Sequence, residues 1–80
     1  MRKIISLIPV DGFQLLVKFD NDIQKKVDIK PYLDKPVFSV FTNNEELFRK
    51  VINKGYFIEW PLLEIDLSAD TLWHDGIVIN

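Results

Sequence analysis

Eighty residues, 48% of them hydrophobic and including six Phe, two Trp and two Tyr, describe one domain spanning residues 1–80, with a dense aromatic core and no room for a second. A formal charge of −2 with scattered lysines lacks the basic stripe of a nucleic-acid binder. The absence of cysteine excludes a disulfide framework and a thiolate metal site, and suits a reducing cytoplasm.

The apolar run at residues 4–8 is interrupted by Ser6 and ended by Pro9 and Asp11, which makes it too short for a signal peptide or a membrane span. Residues 3–8 read instead as a strand, and residues 9–12 as a turn. Residues 13–19 alternate, with Phe13, Leu15, Val17 and Phe19 on one face and Gln14 and Lys18 on the other. Asp20-Asn21-Asp22 is a hairpin signal, and residues 23–29 form the return strand. Parity places Lys25 on the inner side with Ile23, Val27 and Ile29, a position expected near a sheet edge, where its stem packs and its amine reaches water. Pro31-Tyr32-Leu33 predicts a short helical turn, with Asp28 as its capping carboxylate.

"NNEELFRKV" then predicts a helix. Asn43 or Asn44 caps it, Glu45 and Glu46 favour its N-terminal dipole, and Leu47, Phe48 and Val51 form its buried stripe. Asn53-Lys54-Gly55 turns the chain into a strand at residues 56–60, where Tyr56, Ile58 and Trp60 share a face until Pro61 ends the ladder. Ser68 is the N-cap of the last helix, Leu67 and Leu72 are spaced as a hydrophobic staple, and Gly76 ends it. The uncharged tail Ile77-Val78-Ile79 has strand propensity and is expected to pack either as an edge strand of its own sheet or, the reading favoured by a narrow margin, against a second copy or a partner.

In order and spacing, "LLVKFDNDIQKKVDIKPYL", "LFRKV", "IEWP" and "DLSADTLW" resemble the bacterial domain-of-unknown-function family 2442 over nearly the whole chain. The resemblance implies a small α+β domain with no catalytic motif. Some relatives are fused to a helix-turn-helix domain, and others look like the antitoxin half of a toxin–antitoxin pair. Asp22 stands where a turn glycine is common, and Leu62 and Ile65 stand where polar residues are common.

No constellation for catalysis emerges. His74, the single histidine, has Asp70 one helical turn away, which is too few ligands for zinc; near a helix C-terminus a histidine complements the dipole. Glu59, Glu64, Asp66 and Asp70 read as a solvated acidic face or as caps, and otherwise as a docking surface for a basic partner. Ser6, Ser39 and Ser68 have no histidine arrangement, and the three glycines stand alone, so neither a nucleophile nor a phosphate loop is present.

The expected fold is α+β: an antiparallel sheet with an N-terminal three-stranded meander, a helix, a further strand or hairpin, and a C-terminal helix. The expected role is a non-enzymatic cytoplasmic interaction module, the antitoxin-like or partner-binding half of a two-gene pair. The alternative is an accessory regulatory domain working with a separate DNA-binding chain. Candidate contact residues are Trp60, Leu62, Glu64, Ile65, Asp66 and Trp73. A protein partner or self-association as a homodimer is expected, with no cofactor, no metal, no direct nucleic acid and no membrane.

Overall fold

Alternation along the first third of the chain builds an antiparallel meander. In the computed structural model, which describes residues 2–79, strands β1 (Ile4–Val10), β2 (Gln14–Phe19) and β3 (Gln24–Asp28) pair in sequence order. Their inner face buries Ile4, Leu15, Val17, Phe19 and Val27. The hairpin signal at residues 20–22 is met by Asp22 in the left-handed region (φ 67°), a conformation that Asp and Asn tolerate better than other non-glycine residues. Asp28 accepts the Lys30 N–H at 3.0 Å and starts the short 3-10 turn Lys30–Asp34.

Pro9 and Val10 are strand rather than turn, which corrects the sequence reading. Ile29 N–H donates to Phe13 O and Phe19 N–H donates to Ile23 O, so odd-numbered β2 residues aim their backbone groups at β3 and even-numbered ones at β1. Pro9 lies opposite Leu15, so its nitrogen faces away from β2, where no donor is needed. Reversal falls on Gly12 (φ 83°), inside the expected turn, and on Phe13 (φ 60°), which the alternation assigns to the strand and the structure places before it. The outer edge of β1 is covered: Arg49 Nη1 donates to Pro9 O at 3.4 Å, Ile4 N–H donates to Gly55 O at 2.7 Å, and Asn53 Nδ2 donates to Ile4 O at 3.0 Å.

The opposite edge is filled from within the chain. Strand β7 (Ile77–Val78) pairs antiparallel with β3, setting Ile77 beside Lys26 and Val78 beside Lys25 and completing the order β1-β2-β3-β7. The tail therefore belongs to its own sheet: of the two packings the sequence leaves open, the internal edge strand holds and the favoured contact between chains does not. Lys25 is accordingly not at an edge: it is 9% exposed, and its Nζ donates to Trp73 O at 2.6 Å while lying 3.9 Å from the Trp73 ring centroid. Gly76 is fixed by this packing, since an added Cβ would stand 2.9 Å from both Leu72 O and Lys25 Cβ.

A second sheet, in the order β4-β5-β6, holds Ile52–Asn53, Phe57–Trp60 and Ile65–Ser68. Before it, Asn44 Oδ1 accepts Leu47 N–H at 3.2 Å and caps helix α1 (Glu45–Phe48). That helix is one turn long, shorter than its sequence pattern predicts, because the chain turns at once into β4. Phe41, Phe48 and Trp60 converge between the layers, with ring centroids 5.1–5.8 Å apart. Trp60 is 1% exposed, and its Nε1 donates to Phe48 O at 2.7 Å.

Helix α2 (Ala69–Asp75) begins at the expected cap, where Ser68 Oγ accepts Thr71 N–H at 3.1 Å. Ser68→Ala should cost about 1 kcal/mol through an orphaned first-turn donor. Urea denaturation measures this, and an unchanged midpoint would show that the cap contributes nothing.

Candidate functional site

Pro61 cannot donate to a ladder, so β5 gives way to the 3-10 turn Pro61–Leu63, and Glu64 in the left-handed region (φ 55°) returns the chain into β6. This corner holds Leu62 at its apex, 78% exposed. Beneath it is a pocket of ≈ 210 Å³ lined by Leu47, Lys50, Ile52, Trp60, Pro61, Leu62 and Leu63. The register pairs Ile52 with Glu59 and Glu59 with Asp66, so these three form one row on the face opposite the buried Ile58 and Trp60. Like charges directly opposite in a sheet repel. Among the described residues no cation pairs with Glu59, Glu64 or Asp66, as none does with Asp20, Asp28, Asp34 or Glu46; what sets the three apart is that they lie together beside the pocket-lining turn.

The six candidate contact residues separate into two groups. Leu62, Glu64 and Asp66 meet at this corner and are exposed. Trp60 and Ile65 are cross-strand partners in the core, with Ile65 5% exposed, so neither is a free contact surface beyond the Trp60 edge at the pocket. Trp73 lies elsewhere, on the meander: it packs edge-on against Phe19 at 5.0 Å between Lys25 and Arg2, whose Cζ is 4.3 Å from its centroid. Sequence reasoning missed Leu47 and Ile52 as pocket walls. They lie ten or more positions from Leu62, on elements whose approach no local pattern signals.

His74 turns to its neighbour Asp75 (Nδ1 to Oδ1, 3.1 Å) rather than to Asp70, which pairs with Arg2. Among the described residues no group of three or more His, Cys, Asp or Glu could hold a metal ion. Asp75 also accepts a hydrogen bond from the Tyr32 hydroxyl, which joins α2 to the turn after β3. Burial first, then the bond to Asp75 and its charge, push the Tyr32 hydroxyl up to about 12. The Tyr32 bond, helped by His74, holds the Asp75 carboxyl below its ordinary value.

The two shifts set opposite limits. Stability from Tyr32 is full below its ordinary pKa of 10.0 and is lost as pH rises toward about 12. Stability from Asp75 is present above pH 3.8 and is lost as pH falls below it. A tyrosinate absorbance titration should show one hydroxyl ionising near pH 12, moving down in Asp75→Asn while staying above 10, because burial is its first cause. A midpoint unmoved by the substitution would show that the Asp75 charge contributes nothing, since the Asn carbonyl can still accept the hydroxyl.

A family model described as "Protein of unknown function (DUF2442)" matches residues 4–77. No curated protein and no solved structure matches the chain. No helix among the described residues is long and apolar enough to cross a membrane.

Proposed function

Because the chain belongs to the DUF2442 family of proteins of unknown function, a membership that brings no reaction with it, we propose that it is a protein-interaction module. In this reading it is a binding protein rather than an enzyme, the partner-binding, antitoxin-like half of a two-gene pair in a reducing cytoplasm. The observation that carries the reading is the Leu62 corner, an exposed apolar apex over a pocket walled by apolar side chains and Lys50, with Glu59 paired beside the wall residue Ile52, Asp66 next to Glu59, and Glu64 directly after the turn. Interfaces of this kind draw affinity from a few apolar anchors and partner choice from the charges around them.

The test is to mix the purified chain with the purified product of the flanking gene and to follow the mass by light scattering coupled to size exclusion. A stable heteromeric complex supports the reading, and two components that elute separately at micromolar concentrations overturn it. A random duplex DNA titration at low salt belongs beside it. Saturable, steeply salt-dependent binding by the chain alone would favour nucleic-acid contact over protein contact, since only phosphate neutralisation gives that slope.

A further inference from the structure

We propose that the Leu62 corner docks a basic amphipathic segment of a different protein, with one large apolar side chain entering the pocket and lysines or arginines meeting Glu59, Glu64 and Asp66. The proposal rests on the partner-binding reading above and adds the place and chemistry of the contact.

Size comes first. The pocket, ≈ 210 Å³, exceeds the roughly 150 Å³ of an engineered apolar cavity that takes up benzene. It therefore has room for one Leu or Phe side chain. Its walls are almost wholly hydrocarbon, so water there is poorly held, and displacing it with an apolar group favours binding. Leu62 stands at the mouth with most of its surface in water and can close over an incoming side chain.

Charge then selects the partner. Glu59 and Asp66 are direct cross-strand neighbours, and Glu64 follows the pocket-lining turn. Their mutual repulsion is uncompensated among the described residues, so a cation placed over the row gains more than it would beside a paired carboxylate. Lys50, which follows α1 and lines the pocket, is a cation the incoming segment must meet with a neutral or acidic group, while its basic residues go to the carboxylates of β5 and β6. A second copy fails the same criterion. A two-fold dimer through this corner would bring six carboxylates into one interface with only the two Lys50 ammonium groups of the pockets to offset them.

The experiment pans a displayed library of random 16-residue peptides on the intact chain. The enriched sequences are then measured against wild type, Leu62→Asp, and the double variant Glu59→Lys with Asp66→Lys. All three positions lie outside the core, so thermal melts of the variants should match wild type. Enriched peptides should carry a Leu, Phe or Trp with Lys or Arg within one or two helical turns. Their affinity should fall roughly tenfold or more in each variant, the loss typical of a central contact, and should weaken with added salt. Acidic or neutral winners, winners that bind the variants as well as wild type, or no enrichment at all would overturn the proposal. The two readings fail separately. A flanking-gene complex indifferent to both variants sinks this contact and leaves the partner reading standing. Basic winners without such a complex do the reverse.

Discussion

Trp60→Ala is expected to remove a large share of the stability of the fold. The indole meets Phe38, Phe41 and Phe48, its Nε1 satisfies Phe48 O, and almost none of it touches solvent. Truncating a buried tryptophan to alanine costs about 3–5 kcal/mol, as lost burial plus the cavity left behind. An 80-residue domain has a total stability on the order of 4–12 kcal/mol, so this one change removes a large share. Trp60→Phe separates the two components: it keeps most of the apolar bulk and orphans the Phe48 carbonyl, for a cost of about 1–3 kcal/mol. Circular dichroism and urea denaturation measure both. A folded Trp60→Ala chain with a near-native midpoint would mean that the tryptophan is a contact residue rather than the centre of the core.

Lys25→Ala is the second large effect. A lysine at a sheet edge could be truncated for a few tenths of a kcal/mol. Here the ammonium supplies the partner for Trp73 O in the last turn of α2, lies over the Trp73 ring, and carries its stem against the site of Gly76. A charge-assisted hydrogen bond contributes about 1.5–3 kcal/mol, and the lost stem packing adds to it. The expected cost is about 2–4 kcal/mol, most of which should persist in Lys25→Met, because the methionine restores the stem and not the charge. If Met recovers nearly all of the stability, the ammonium is incidental and the position is one of simple packing.

These two residues also mark how far the sequence could be read. The meander, the Asp22 turn and the caps at Asn44 and Ser68 were legible because their signals are local: alternation, turn residues, a side-chain oxygen three positions before an amide. Lys25 was placed correctly by parity and wrongly by surroundings, since the strand beside it comes from the far end of the chain. The single-turn length of α1 and the existence of β4 were hidden for the same reason: the competing partner is β5, which no local pattern names. At the candidate site, Leu62, Glu64 and Asp66 could be found from one segment, whereas Leu47 and Ile52 could not. Strand parity alone points Trp60 inward, and the layer of Phe38, Phe41 and Phe48 does cover it; Ile65, a candidate because polar residues are common at its position, is buried beside it.

The closure of the first sheet by β7 has a kinetic consequence. The meander forms from neighbours joined by tight turns, a fast process with little loop entropy to overcome. Seating β7 beside β3 instead closes a loop of about fifty residues, so this ladder should be the last to form and the first to open. Ile79 N–H, bonded to Gln24 O, should then exchange with solvent deuterium through local fraying, far sooner than the amides between β2 and β3. Each such opening would carry away the strand next to Lys25 while the aromatic core stays shut, giving the molecule a graded rather than all-or-none surface of protection.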